Sequence, residues 1–336
     1  MVMSREHQQM PIPLRPQFSR TIQSTIAAVS GQIRLFFYTP PDYGQTGNTK
    51  RFSCIINAHG GGFCVGETKC LYALFDAWTL IILRYQLGSA TEDARWATAV
   101  VQHTDSLVCS VEYRLAPKHP FPTGVEDCAD AILYIWDHAD ELGIDKEKIG
   151  ISGFSAGGNI TFSATMRVRD VLLRRGAEAS VVPALPKNGY RIIKIIVAWY
   201  PSTDYTNTRV DRSRTNPRQD KEMPPFLYRL FDASYLYPLQ NIKLNSPYLS
   251  PGVASDELLE FLPDDIAIFT AGWDGLMAEG ERFRTRLEGI GKNVSGRVVK
   301  DVRHGWDHFS QNRVLAMDAY EVACLDINRV FNGVHS

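Results

Sequence analysis

The 336 residues carry 36 Lys and Arg against 37 Asp and Glu, a formal net charge of −1. That balance argues against a general nucleic-acid or polyanion binder, and 44 % hydrophobic with 22 % charged residues is the composition of a soluble globular chain. The longest apolar stretches, such as IIKIIVAW at 192–199, are too short to span a bilayer, and the opening MVMSREHQQMPIPLRPQF has no apolar signal core, so a cytoplasmic location with no membrane span is expected.

In chain order, residues 1–30 are polar and proline-punctuated, with a helix expected over 17–29. QIRLFFYTP (32–40) alternates and ends at prolines, as a strand before a turn does. FSCIINAHG (52–60) and LVCSVEYR (107–114) read as buried strands, and the apolar spacing of 124–143 as a helix stopped by glycine. KIGIS (148–152) is a short strand, followed by a helix over 156–175. Strands follow at 191–200 and 264–272, a helix at 278–290, a strand at 294–300 and a last helix at 311–331. This alternation predicts an α/β fold with a mostly parallel, doubly wound sheet. The expected division is an N-terminal cap segment (1–31), a first core part (32–202), a helical cap or lid insertion (203–262) and a second core part (263–336). The insertion is too long and too rich in Pro, Tyr, Phe and Arg for a plain connection. Residues 71–100 are also overlong for one crossover: DAW at 76–78 is echoed by DARW at 93–96, and the piece near 77–93 is either an extra helix or extra sequence. Six cysteines (54, 64, 70, 109, 128 and 324) show no CxxC and read as mostly buried thiols.

KIGISGFSAGGN is strand, G-x-S-x-G, helix. In that setting the serine occupies a tight turn with its hydroxyl above the sheet edge, so Ser155 is the candidate nucleophile. AHGGGF (58–63) follows a strand, and its bare glycines leave backbone N–H groups free to converge on one point. Gly61 and Gly62, with the N–H of Ala156, are the candidate oxyanion hole. No G-x-x-x-x-G-K-[ST] is present, which disfavours a nucleotide loop.

A nucleophilic serine needs a base, and the base an orienting carboxylate. VKDVRHGWDHF (299–309) follows a late strand and supplies His304 as the base. His308 stands four residues on, but without the H-E-x-x-H pattern no metal site is expected. Asp274 lies just past an apolar strand and is favoured as the acid over Asp301, expected to end its strand, and Asp307, expected to cap the final helix. The order Ser155, Asp274, His304 is that of an α/β-hydrolase triad.

These blocks resemble the hormone-sensitive-lipase-like branch of the α/β-hydrolases: HGGGF at 59–63, VEYRLAPKHPFPTGVEDC at 111–128, GFSAGGN around Ser155, DGLMAEGERF around Asp274 and RHGWDHF around His304, in order over about 32–331. The resemblance implies a carboxylic-ester hydrolase with no metal or organic cofactor, acting on a small-molecule ester, with an N-terminal cap joining 203–262 over the site. Within the branch the chain is most similar to fungal esterases of secondary-metabolite pathways. It departs from the family at Phe154, where an acidic or small polar residue is usual, at Gly275 in place of proline, and at Ala278 in place of an acid. A lyase, dehydratase or cyclase built on the same base and oxyanion hole is the alternative activity. A non-catalytic small-molecule receptor is disfavoured, because His304 is retained. A homodimer is left open. The aromatic stretch 223–248 is read equally as pocket wall and as ordinary core.

Overall fold

The computed structural model describes residues 12–45, 49–64, 89–178 and 191–333. The segment near 77–93 lies outside these up to residue 88, as does Cys70. The sheet runs in the order β1-β2-β4-β3-β5-β6-β7-β8, with β9 also paired to β7. Its strands are β1 (Phe18–Gln23), β2 (Gln32–Tyr38), β3 (Phe52–Ala58), β4 (Leu107–Glu112), β5 (Ile144–Phe154), β6 (Ile193–Trp199), β7 (Asp265–Trp273), β8 (Asn293–Ser295) and β9 (Val298–Arg303). β1 to β2 and β2 to β4 are antiparallel; the other pairs are parallel. The central strands β3 to β7 are apolar runs because helices cover both of their faces.

The helix expected over 17–29 is instead strand β1 and a turn. Residues 18–23 pair with β2 in full register, and Phe18 stacks on its partner Phe37 with ring centroids 4.5 Å apart. Short polar and β-branched residues here gain more from an edge ladder than from a helix with no buried stripe. The sheet therefore begins before residue 32. The single strand expected at 294–300 is two, β8 and β9, split at Gly296. That glycine has φ 89°, and a Cβ on it would lie 2.1 Å from the Ile268 carbonyl oxygen on β7. The helix expected over 124–143 ends at Asp137, short of the glycine, and β5 begins at Ile144 rather than 148; the other core elements fall within three residues of expectation.

Helices α1 (Ala94–Thr104) and α7 (Arg313–Asn332) pack on one face of the sheet around Trp96, Val100, Trp199 and Tyr320. On the other face lie α2 (Thr123–Asp137), α3 (Ala156–Glu178) and α6 (Met277–Gly289), around Ile132, Ile160 and Phe283. Between β6 and β7 the chain forms α4 (Arg209–Thr215), α5 (Pro225–Tyr235), short 3-10 turns and a helical turn Asp256–Leu259. Thr208 caps α4 by accepting from the Asp211 N–H at 3.1 Å. No helix among the described residues is long and apolar enough to cross a membrane.

Candidate active site

The site is set by the turn between β5 and α3. Ser155 has φ 54°, a left-handed value that strains a non-glycine residue. Pairing holds it there: the Ser155 N–H donates to the Trp199 carbonyl at 2.9 Å, and the Ser155 carbonyl accepts from Asn159 N–H at 3.0 Å. The flanking glycines are steric necessities. A Cβ on Gly157 would lie 1.9 Å from the Ala58 carbonyl oxygen, and one on Gly153 would lie 2.3 Å from the Gly157 oxygen. Beneath the turn, Asn57 on β3 accepts from Ser152 Oγ at 2.8 Å and donates to Asp93 at 2.8 Å, while Trp96 Nε1 donates to Ser152 Oγ at 2.9 Å.

Three distant chain segments meet at this turn. Ser155 Oγ lies 2.7 Å from His304 Nε2, and His304 Nδ1 lies 2.6 Å from Asp274 Oδ2. Asp274 follows β7 directly and is almost wholly buried; its other oxygen accepts from the Leu276 N–H at 3.0 Å. His304 follows β9, and Tyr200 meets its ring edge to face with centroids 4.8 Å apart. Gly61, Gly62 and Ala156 line the same cavity as Ser155 and His304. Gly61 and Gly62 have φ 103° and 60°, conformations open to glycine. His59 packs flat on Tyr113 with centroids 4.3 Å apart, and its Nδ1 lies 2.7 Å from the Gly60 carbonyl oxygen.

The cavity measures about 430 Å³. Met223, Leu227, Tyr228 and Phe231 from the 203–262 segment line it, whereas Tyr235 stacks on Phe63 at 3.7 Å in the core, so the aromatic stretch serves both purposes considered from sequence. Burial raises the Tyr228 phenol above its ordinary value.

Asp301 and Asp307 sit differently from expectation. Asp301 lies inside β9, at φ 58° where the pairing with β7 shifts register, rather than at the strand's end. Asp307 caps no helix: its buried carboxylate accepts the Tyr200 and Tyr320 hydroxyls at 2.6 and 2.7 Å. Sequence reasoning missed several residues around the site. Glu92 and His308 line the cavity. Phe231 of α5 closes over Gly62, where an added Cβ would meet its ring at 2.6 Å. Arg212 of α4 lies 2.8 Å from Glu279 of α6, both buried. The only sequence signal for these was placement, in an aromatic insertion or beside a recognised block.

Comparison with known proteins agrees with this geometry. Residues 84–308 match a family model described as alpha/beta hydrolase fold. The chain is 33 % identical over 201 residues to an arylesterase of Saccharolobus solfataricus, an alignment covering 60 % of this chain and 58 % of that one. It is 27 % identical over 296 residues to esterase LipI of Mycobacterium tuberculosis, covering 88 % and 77 %. Among solved structures, an esterase of Pyrobaculum calidifontis superposes with TM-score 0.70 at 26 % identity, over 93 % of this chain and 85 % of that one. With more than half its length in the family model, the chain belongs to the alpha/beta hydrolase fold family, in its hormone-sensitive-lipase-like branch of carboxylesterases.

Proposed function

We propose that this chain is a serine carboxylic-ester hydrolase acting through an acyl-enzyme, with Ser155 as nucleophile, His304 as general base and acid, and Asp274 as the group that orients the imidazole. The observation that carries this reading is the bridging position of His304, 2.7 Å from Ser155 Oγ and 2.6 Å from Asp274 Oδ2. Asp274 accepts the Nδ1–H and so leaves Nε2 as the acceptor facing the hydroxyl. Ser155 Oγ attacks the ester carbonyl as its proton passes to Nε2. The oxyanion develops against the N–H groups of Gly61, Gly62 and Ala156; a single such donor is worth about 3 kcal/mol in the transition state. His304 then returns the proton to the departing alcohol, and water repeats the sequence on the acyl-enzyme. The 203–262 segment acts as a cap, supported by the residues it adds to the cavity wall, among them Met223, Leu227, Tyr228 and Phe231.

The test is turnover of a short-chain p-nitrophenyl ester by wild type and Ser155→Ala, in isotopically labelled water. Wild type releases acid carrying the label and the variant releases none above background. Full activity in the variant would exclude an acyl-enzyme, and unlabelled product would point to elimination or cyclisation.

A further inference from the structure

The residues Trp199 and Tyr200, where β6 ends, serve both the nucleophile and the base. The Trp199 carbonyl accepts the Ser155 N–H at 2.9 Å, and the Tyr200 ring meets the His304 imidazole with centroids 4.8 Å apart and planes inclined by 65°. Tyr200 is buried and holds φ 36°, a left-handed value that a non-glycine residue keeps only where its surroundings enforce it. Its N–H donates to the Phe269 carbonyl of β7 at 2.6 Å, and its hydroxyl donates to Asp307 Oδ1 at 2.6 Å. Asp307 stands in the 3-10 turn Trp306–His308, on the loop that carries His304. Its second oxygen accepts the Tyr320 hydroxyl from α7 at 2.7 Å, and its carbonyl accepts from Arg95 of α1 at 3.3 Å. His308 Nε2 lies 3.9 Å from Asp307 Oδ2, beyond hydrogen-bond length. The loop of the base is thus tied through one carboxylate to the end of β6 and to α7.

Asp274 holds the imidazole at Nδ1 alone, and a ring held at one atom can swing about that contact. Such a swing carries Nε2 off the line to Ser155 Oγ, and a misplacement of about 1 Å at a reacting group can cost about 100-fold in rate. The Tyr200 ring closes one side of that swing. It can do so only while it is itself held, and the bond from its hydroxyl to Asp307 holds it. A phenylalanine would bury the same apolar ring, so packing by itself calls for neither the hydroxyl nor the strained φ. We propose that Tyr200 and Asp307 are positioning residues for the base: Asp307 fixes the Tyr200 ring, and the ring keeps His304 Nε2 on Ser155 Oγ. The inference rests on the esterase reading above and adds to it a second carboxylate that acts at one remove from the triad. Tyr320 supplies an internal control. It donates to the same carboxylate, but its ring packs on Trp96, Trp199 and Phe154 rather than on His304.

The experiment measures kcat, KM and the thermal midpoint with a short-chain p-nitrophenyl ester for wild type, Tyr200→Phe, Tyr320→Phe, Asp307→Leu and the double variant Tyr200→Phe/Asp307→Leu. Tyr200→Phe and Tyr320→Phe each take one phenol from the same buried carboxylate, so a purely structural role moves both alike. Positioning separates them: Tyr200→Phe loses about tenfold in kcat with KM changed by less than about twofold, while Tyr320→Phe keeps kcat within about twofold. Their midpoints fall together. Asp307→Leu loses kcat as Tyr200→Phe does, and the double variant loses no more, as expected of residues that act through one contact. Equal kcat losses in the two phenylalanine variants, or an unchanged kcat in Tyr200→Phe, would overturn the proposal while leaving Ser155-dependent hydrolysis standing. That comparison does not need Asp307→Leu to fold. Losses that multiply in the double variant would overturn the action of Asp307 through Tyr200. If Ser155→Ala keeps full turnover, the esterase reading fails and the positioning role fails with it.

Discussion

Arg212 Nε lies 2.8 Å from Glu279 Oε2, with side-chain exposures of 5 % and 2 %. The pair joins α4 of the inserted segment to α6, the helix that follows Asp274. Glu279 Oε1 also accepts the Thr203 N–H at 2.7 Å, and the Arg212 guanidinium lies 5.0 Å from the Tyr205 ring on the cavity wall. Losing one partner of a buried pair costs about 3–5 kcal/mol, chiefly by stranding the other charge. Burial already holds the Glu279 carboxyl above its ordinary value. In Arg212→Met that rise grows, since the compensating cation is gone. The unfolded chain ionises Glu279 at the ordinary carboxylate value while the folded variant keeps its proton to higher pH. The stability deficit is therefore smallest in acid and widens once pH passes the already raised value at which Glu279 ionises in folded wild type. Urea unfolding of wild type and variant across pH 4 to 8 tests this; a deficit independent of pH would mean that charge burial is not its origin.

Gly62 combines φ 60° with contact against Phe231, whose ring an added Cβ would meet at 2.6 Å. Gly62→Ala should displace the backbone N–H assigned to the oxyanion hole and lower kcat by about 100-fold or more. Adding Phe231→Ala removes the clash but not the strained φ, so only part of the loss returns. Full turnover by the single variant would exclude Gly62 as a donor.

How far the fold could be read from sequence depended on how locally it was encoded. The buried strands β3, β4 and β6 are legible because two covered faces demand an unbroken apolar run. β1 was misread because an edge strand buries little: of its six residues only Ile22 is buried, so its alternation hardly shows in composition. The turn around Ser155 was legible because close backbone approach at Gly157 leaves only glycine possible. Glu92 and His308 were not, since nothing in a sequence says that residues 216 positions apart will meet within 3.7 Å. Asp307 was misjudged for a related reason: its place before a helix suggested a cap, while Tyr200 and Tyr320, distant in sequence or on the next helix, claimed its carboxylate.

Asp274 meets His304 Nδ1 at 2.6 Å and uses its other oxygen to hold the Leu276 N–H at 3.0 Å. Asp274→Asn keeps an acceptor for Leu276 but turns an amide N–H toward Nδ1. The imidazole must then carry its proton on Nε2, facing Ser155, where it cannot act as a base. The expected loss in kcat is about 10⁴-fold with an unchanged thermal midpoint. A loss below tenfold would place the orienting carboxylate elsewhere.

His59 links the glycine loop to acid stability. Its ring is buried against Tyr113, Nδ1 donates to the Gly60 carbonyl at 2.7 Å, and Nε2 is buried with no partner among the described residues. A second proton would have nowhere to go, so burial lowers its pKa from 6.5 to about 4, with the Gly60 carbonyl opposing. Between those values the unfolded chain binds a proton that the folded chain refuses. Stability from this group is complete above about pH 6.5 and drains away as pH falls toward 4, by about 3 kcal/mol in all. His59→Gln cannot take up that proton in either state. Measured by urea unfolding, wild type should lose about 3 kcal/mol more than the variant between pH 7 and pH 4. Parallel curves for the two proteins would mean that His59 takes its proton inside the fold, and the tight packing inferred for the start of the oxyanion loop would be wrong.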